Sequence, residues 1–216
     1  MPRETKAAKR ERMLEVLRRL EEMYPESRCS LDHDDPLQLL VATILSAQCT
    51  DARVNQVTPE LFRKYPTAAD YGAASQEEME ADLASVNFFR NKAKALRGMG
   101  DTVDREHGGE VPGELAALTS LPGVGRKTAN VVLGVGFGVA DGVVVDTHVK
   151  RIAKRLGFTR HGDPEKVEKD LLPLIPEEDR VVFTHRMIDH GRAVCVARKP
   201  RCEICNLSDI CPSSRV

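Results

Sequence analysis

Hydrophobic side chains recur along this chain at intervals of three and four residues, the spacing that places them on one face of an α-helix. The first stripe ends before Pro25 and consists of Met13, Leu14, Val16, Leu17 and Leu20. A second stripe follows Pro36 and consists of Leu37, Leu40, Val41, Ile44 and Leu45. Further helices are predicted over residues 77–84, 91–107 (ended by Gly108 and Gly109), 127–137, 149–156, 167–172 and 181–191, with a short one at 115–118. The alternation typical of strands is almost absent, with 143–145 as the one short candidate, so the sequence predicts an all-α fold.

The length and charge of the chain limit the class of protein to which it can belong. With 216 residues it forms one large domain or two small lobes, and its balance of 41% hydrophobic and 30% charged residues is that of a folded protein. The basic N-terminus has no apolar segment behind it, and the apolar run from Val131 to Ala140 is too short and too rich in glycine to cross a bilayer. We therefore expect a cytoplasmic protein without a membrane partner, and a monomer by default. Because the net charge is −1, any contact with nucleic acid must rest on local positive charge.

Four cysteines near the C-terminus, Cys195, Cys202, Cys205 and Cys211, have the spacing C-x6-C-x2-C-x5-C. Four thiols within so short a segment are typical of a metal centre, either zinc or an iron–sulfur cluster, and the spacing alone leaves the metal open. The alternative is a pair of disulfide bonds, as in small secreted domains. Nothing else in the sequence indicates secretion, so we expect the metal.

The segment from Leu121 to Ala129 reads L-P-G-V-G-R-K-T-A and lies between two predicted helices. Gly123 and Gly125 permit a tight turn, and with Val124 they could bring main-chain N–H groups close to a phosphate at the start of the next helix. Lys127 lies in the first turn of that helix, where the helix dipole disfavours a cation. If the position is also partly desolvated, both effects favour the free amine that a lysine nucleophile needs. The alternatives are an ordinary turn between helices and a solvated lysine.

Asp146 directly precedes a predicted helix within V-D-T-H, and this position predicts a helix N-cap. An N-cap aspartate needs no catalytic role. A fixed carboxylate that faces a cleft could nevertheless stabilise positive charge on a sugar, as in glycoside hydrolysis.

Together, L-P-G-V-G-R-K-T-A, V-D-T-H and the four cysteines resemble, in order and spacing, the endonuclease III family of helix-hairpin-helix DNA glycosylases. The resemblance spans roughly Leu31 to Pro212. It implies two α-helical lobes that flank a DNA-binding cleft: a six-helix barrel at residues 29–140, with the helix-hairpin-helix at about 113–137, and a cluster lobe made of residues 1–28 and 141–216. It also implies that the four cysteines hold a 4Fe–4S cluster.

The chemistry implied by this resemblance is the removal of oxidised pyrimidines from damaged double-stranded DNA in base excision repair. The damaged nucleotide is flipped out of the helix, because its C1′ atom cannot be attacked inside the stack. Lys127 would then attack C1′, expel the base and form a Schiff base, and β-elimination would cut the strand on the 3′ side. Asp146 would help to activate the lysine and would stabilise the oxocarbenium-like sugar. Adenine-excising relatives generally lack the lysine and carry a further C-terminal domain.

The resemblance also indicates DNA contacts. Gln48, in S-A-Q-C-T-D, corresponds to a glutamine that fills the gap left by the flipped base, and it continues the second apolar stripe to the end of that helix. Phe88 and Phe89 stand where the family has a wedge leucine and a tyrosine, which makes Phe88 the candidate DNA contact. The alternative for one of the two is core packing, so the sequence leaves open which ring is the wedge. The basic loop between the first two cluster cysteines contributes phosphate contacts through Arg198, Lys199 and Arg201.

Three other functions are compatible with parts of the sequence. A DNA or RNA binder without catalysis would use the hairpin but leave the pairing of Lys127 with Asp146 unexplained. An electron-transfer protein would use the cluster without DNA. Within the glycosylases, a mismatch or abasic-site specialist differs from our prediction only in a lesion pocket that the sequence does not reveal.

Overall fold

A computed structural model describes residues 4–216, so residues 1–3 of the predicted cluster lobe lie outside the described residues. All regular secondary structure within this range is helical, which confirms the all-α prediction. No helix in the described range is long and apolar enough to span a membrane. The candidate strand at 143–145 does not form, because the Val143 N–H donates to the Glu168 carboxylate (3.2 Å) and the Val144 carbonyl accepts from the Thr184 hydroxyl (3.2 Å).

The contacts divide the chain into two compact units. The hairpin unit is Cys29–Val139. The terminal unit combines the described residues up to Arg28 with Ala140–Val216, so the two ends of the chain fold together.

The hairpin unit is organised around one helix that is buried on all sides. Its helices are α2 (Pro36–Ser46), α3 (Asp51–Lys64), α4 (Ala68–Ala73), α5 (Gln76–Asp82), α6 (Phe89–His107), α7 (Leu115–Ser120) and α8 (Arg126–Val131), which continues as a π-helical segment, Val132–Gly136. Every residue of α2 from Leu39 to Leu45 is buried, as expected of a helix inside a core. Asp35 starts this helix because its carboxylate accepts a hydrogen bond from the Gln38 N–H (2.8 Å) and Pro36 occupies the first turn.

The hydrophobic pattern predicts no helix over residues 51–75, yet α3 and α4 form there. Pro59 lies inside α3 and obscures its sparse apolar stripe. The starts of these two helices are nevertheless encoded locally. Thr50 accepts a hydrogen bond from the backbone of α3 (3.3 Å), and Thr67 and Asp70 form a reciprocal capping box at α4.

Helix α6 packs closely against α4 because glycine occupies the contact. A Cβ atom at Gly100 would lie 2.6 Å from both the Ala68 carbonyl oxygen and the Tyr71 Cβ. The helix ends at Gly108, as predicted, and this residue has the left-handed conformation (φ 64°) that closes many helices.

The terminal unit contains α1 (Lys6–Met23), α9 (Thr147–Arg155), α10 (Pro164–Leu171) and α11 (Arg180–Ala193), with short 3-10 turns at Glu177–Asp179, Cys202–Ile204 and Ser208–Ile210. The predicted stripe of α1 is buried except for Leu14, which is 43% exposed. Polar side chains fasten the same helix to the loop after α9. Arg12 Nη1 donates to the Leu156 carbonyl (2.6 Å), and Lys9 Nζ donates to the Phe158 carbonyl (2.7 Å).

Candidate active site and metal centre

The L-P-G-V-G segment forms a tight turn between α7 and α8. The side chains of Leu121 and Val124 are buried in the core of the hairpin unit, and the Val124 N–H donates to the Leu121 carbonyl (3.1 Å). Gly123 has φ +78°, and a Cβ atom there would lie 2.6 Å from the Ala95 Cβ on α6. Gly123 is therefore required by the packing of the turn itself.

Gly125 is glycine for a different reason. It is the N-cap of α8 with φ −89°, a value open to any residue, and a Cβ atom there would meet no heavy atom within 4 Å. The turn therefore leaves free space beside this backbone, which suits the close approach of a ligand. Because the Val124 N–H is already donated to Leu121, a phosphate at Val124 would have to share that N–H.

Lys127 is the second residue of α8 and is exposed to solvent. Its amine makes no hydrogen bond or ion pair with the other described residues, so it is free to meet a ligand. The partial desolvation expected from the sequence is not supplied by the surrounding protein, and it would have to come from bound DNA.

Asp146 is the N-cap of α9, as predicted. Its Oδ1 accepts a hydrogen bond from the Val149 N–H (2.7 Å), and its half-buried side chain lies between the buried Val145 and Val149. This arrangement fixes the carboxylate. Asp146 belongs to the terminal unit and Lys127 to the hairpin unit.

His148 packs behind this cap. Burial lowers the pKa of His148, and its Nδ1 lies 3.2 Å from Nη2 of Arg151. Helix α11 approaches so closely that a Cβ atom at Gly191 would overlap the His148 ring, and this close approach holds the first turn of α9.

Three non-glycine residues of the described range have left-handed backbone, and all three are predicted DNA contacts: Gln48 (φ 53°), Phe88 (φ 58°) and Lys199 (φ 53°). This conformation costs a non-glycine residue roughly 1–2 kcal/mol and concentrates at functional sites. Gln48 is exposed and lies beyond the end of α2 at Ser46, so our expectation that it continues the stripe of that helix is wrong.

The two adjacent phenylalanines have different environments. Phe88, the N-cap of α6, is 59% exposed. Phe89 is half-buried against the core of the hairpin unit, with the Arg90 guanidinium 4.9 Å from its ring centroid. Phe89 is therefore the residue that packs, and Phe88 is available to a ligand.

The four C-terminal cysteines line one cavity of the terminal unit. All four are unpaired and half-buried, so the disulfide alternative does not apply. No group of three or more His, Cys, Asp or Glu side chains among residues 4–216 is placed to hold a single metal ion. Burial and the neighbouring thiols raise the pKa of Cys205 and Cys211. The donor set, four thiols around one cavity, fits a four-iron cluster, which takes four thiolate ligands.

Two arginines of α9 hold the start of this cysteine loop. Arg155 Nη1 lies 3.2 Å from the Cys195 Sγ and donates to the Val196 carbonyl (2.8 Å), and Arg151 Nε donates to the Cys195 carbonyl (3.2 Å). No prediction from the sequence assigned this role to the two arginines. A signal was available in the i, i+4 spacing of two arginines on a helix whose other face is apolar.

A histidine and a tyrosine support a second cysteine of the site, Cys205. His190 is buried, and its Nε2 lies 3.7 Å from the Cys205 Sγ, while its Nδ1 lies 3.1 Å from the Tyr24 hydroxyl. Burial lowers the pKa of His190 to about 4 and raises that of Tyr24 to about 12. Both groups are therefore neutral at pH 7, and they can act as hydrogen-bonding partners without adding charge.

The three cations of the basic loop are exposed to solvent. Arg198 and Lys199 direct no hydrogen bond to other described residues, whereas Arg201 Nη1 donates weakly to the Ala193 carbonyl (3.4 Å). The Arg201 N–H also donates to the Val194 carbonyl (3.0 Å), which closes the loop. Two cations are thus free for a partner, and the third also supports the loop.

Comparison with known proteins identifies the family of the chain. Residues 41–177 match the HhH-GPD superfamily base excision DNA repair protein, and residues 195–211 match the iron–sulfur binding domain of endonuclease III. The chain belongs to the endonuclease III family. Endonuclease III of Synechocystis is 52% identical to it, over 97% of this chain and 95% of the relative. Endonuclease III of Bacillus subtilis is 47% identical, over 90% of this chain and 89% of the relative.

Two solved structures of endonuclease III bound to DNA are also similar to this member of the family. One is a non-covalent complex and the other a trapped covalent intermediate, each with 45% identity and a TM-score of 0.89. They cover 94% of this chain and 95% or 96% of the solved chains. The protein is accordingly a DNA glycosylase and abasic-site lyase of base excision repair, and it carries a 4Fe–4S cluster.

Proposed function

We propose that this endonuclease III family member removes oxidised pyrimidines from duplex DNA and cuts the strand through a Schiff base on Lys127. The observation that carries the proposal is the free, exposed amine of Lys127, two residues after the open backbone at Gly125. The trapped covalent intermediate of a relative that is 45% identical supports covalent chemistry of this kind.

Lys127 acts as the nucleophile. Its Nζ forms a bond to C1′ of the flipped nucleotide while the bond between C1′ and the base breaks, and the base leaves with that electron pair and takes up a proton. The sugar ring then opens to a protonated Schiff base. Loss of a proton from C2′ drives β-elimination of the 3′ phosphate, and water finally releases the lysine.

Asp146 supports this reaction by its negative charge. Positive charge develops on the sugar as the base departs, and a fixed carboxylate stabilises it without having to reorganise. The N-cap hydrogen bond from Val149 holds the carboxylate in place. The same carboxylate helps to take a proton from the Lys127 ammonium.

The DNA is held by residues that project from both units. Gly123 and Gly125 of the hairpin allow close approach of a phosphate. Gln48 fills the gap left by the extruded nucleotide, and Phe88 wedges into the stack. In the basic loop, Arg198, Lys199 and Arg201 contact the phosphate backbone.

Cys195, Cys202, Cys205 and Cys211 hold the 4Fe–4S cluster. When bound, the cluster supplies a cross-link that fixes a loop with no hydrophobic core of its own. The loop then presents its cations to DNA. We further propose that the protein works as a cytoplasmic monomer.

Borohydride trapping on a duplex with one thymine glycol tests the proposal, because reduction turns a Schiff base into a permanent protein–DNA bond. Wild type is expected to form the adduct. Lys127→Ala and Lys127→Arg are expected to form none, since a guanidinium keeps the charge but is not a nucleophile.

Two other outcomes of the trapping experiment would each overturn a different part of the proposal. An adduct on an abasic site but not on thymine glycol would retain the lyase chemistry and overturn the substrate assignment. An adduct with Lys127→Arg would show that the nucleophile lies elsewhere.

A further inference from the structure

One side chain joins the two exposed left-handed residues of the hairpin unit. Asn87 Nδ2 donates a hydrogen bond of 2.8 Å to the main-chain carbonyl of Gln48, and Asn87 directly precedes Phe88. Gln48 and Asn87 are 39 positions apart in the sequence, so this bond connects two separate loops. The loop of Gln48 follows α2, and the loop of Phe88 precedes α6.

A buried lysine supports the same junction from within. Lys92, in the second turn of α6, is only 5% exposed, and its Nζ donates to the Leu45 carbonyl in the last turn of α2 (2.7 Å). Its N–H donates to the Phe88 carbonyl (3.1 Å). The end of α2 and the start of α6 are therefore fixed to each other, and the Asn87 bond extends this connection to the exposed residues.

The backbone conformation of Gln48 depends on restraints such as the hydrogen bond to its carbonyl. At φ 53° the residue lies in a sparsely populated region, and such backbone persists only when its surroundings hold it. The amide of Asn87 supplies one such restraint on the peptide that follows Gln48. Without it, the orientation of the Gln48 side chain would no longer be tied to the position of Phe88.

We propose that Asn87 is a positioning residue that couples Gln48 and Phe88, so that both enter the DNA stack as one rigid unit. The inference rests on the proposed function, in which Gln48 fills the gap and Phe88 wedges the stack. Two groups that must occupy neighbouring sites in the duplex act together only if their separation is fixed, to within about 0.5 Å for a preorganised site. Asn87 then favours the flipped state without touching the reacting atoms.

The chain offers a matched control. Asn91 is exposed on the first turn of α6, four residues from Asn87, and its side chain makes no hydrogen bond with the other described residues. Asn87→Ala and Asn91→Ala remove the same atoms at neighbouring positions. Only the first removes the bond between the loops.

The first measurement is the fluorescence of 2-aminopurine placed opposite a stable abasic-site analogue, because stacking quenches this base. Wild type and Asn91→Ala are expected to raise the emission equally on binding, and Asn87→Ala to raise it less. This readout needs no chemistry. It therefore tests the coupling even if wild type gave no borohydride adduct, a result that would overturn the proposed function alone.

The second measurement is single-turnover base excision in a double-mutant cycle, well below the melting temperature of every variant. Asn87→Ala is expected to slow excision about 3- to 10-fold, the range for losing one hydrogen bond. In the Gln48→Ala background the same change should have less than about a twofold effect, because the side chain to be positioned is absent. Equal behaviour of Asn87→Ala and Asn91→Ala, or an undiminished loss in the Gln48→Ala background, would overturn the inference.

Discussion

Replacement of Gly125 by alanine is expected to weaken DNA binding while leaving the fold intact. In the structure, a Cβ atom at this residue meets no protein atom within 4 Å, and φ −89° is an ordinary value for alanine. Reduced freedom of the unfolded chain stabilises such a variant by about 0.4–1 kcal/mol, and the poorer N-cap offsets part of that gain. We therefore expect the free energy of unfolding to change by less than about 1 kcal/mol.

Gly123→Ala in the same turn is the matched comparison. Its left-handed backbone costs alanine roughly 1–2 kcal/mol, and the Cβ at 2.6 Å from the Ala95 Cβ adds about 1–3 kcal/mol of overpacking. The sum of about 2–5 kcal/mol is a large part of the stability of an ordinary domain, about 5–15 kcal/mol. We therefore expect Gly123→Ala to lose stability and Gly125→Ala to lose DNA affinity, although the two glycines are only two residues apart.

Urea denaturation and fluorescence anisotropy with an abasic-analogue duplex separate the two effects. Gly125→Ala should keep the wild-type unfolding midpoint and bind DNA roughly 10- to 150-fold more weakly, the equivalent of one charge-assisted hydrogen bond of about 1.5–3 kcal/mol. If Gly125→Ala bound DNA as tightly as wild type, the backbone beside Gly125 would not be a phosphate contact. If Gly125→Ala unfolded as readily as Gly123→Ala, the conclusion that the space around Gly125 is open would be wrong.

Three further predictions concern the terminal unit. Asp146→Asn keeps an oxygen that can cap α9, so the free energy of unfolding should stay within about 0.5 kcal/mol of wild type. Single-turnover excision should fall about 100-fold or more, because the negative charge is lost. A loss of excision no larger than the loss of stability explains would show that Asp146 acts only as a helix cap. Cys202→Ser should lose the visible iron–sulfur absorption and most of the iron, and a full iron content would exclude this ligand. Gly191→Ala should lower the unfolding free energy by about 1–3 kcal/mol because its Cβ overlaps His148, whereas Gly162→Ala, with no neighbour within 4 Å, should not.

The sequence predicts the helices whose signals are local. The helix predicted over residues 91–107 and its closing Gly108 are confirmed in α6, as is the cap of α9 by Asp146, because each depends on residues within a turn or two. Helix α3 escapes prediction because Pro59 contradicts its pattern and burial of Val54 and Leu61 against the rest of the unit outweighs that local preference.

Features of the site that depend on distant partners could not be read from the sequence. Arg155 looks like part of a solvated basic face until the loop at Cys195, forty positions away, folds against it. The choice between Phe88 and Phe89 depends on which ring meets the core. The bond from Asn87 to Gln48 likewise joins loops that are remote in sequence, and no periodicity signals it.

The make-up of the terminal unit from both ends of the chain sets an order of events during synthesis. The apolar face of α1 emerges early, but the helix that it packs against, α11, follows only after the whole hairpin unit, Cys29–Val139, has been translated. At about 5–20 residues per second that interval lasts roughly 6–22 s. The hairpin unit can complete its core in this time. The side chains of Met13, Val16 and Leu20 on α1 stay uncovered until α11 follows. A nascent chain stalled before α11 would therefore leave the apolar face of α1 exposed and open to aggregation.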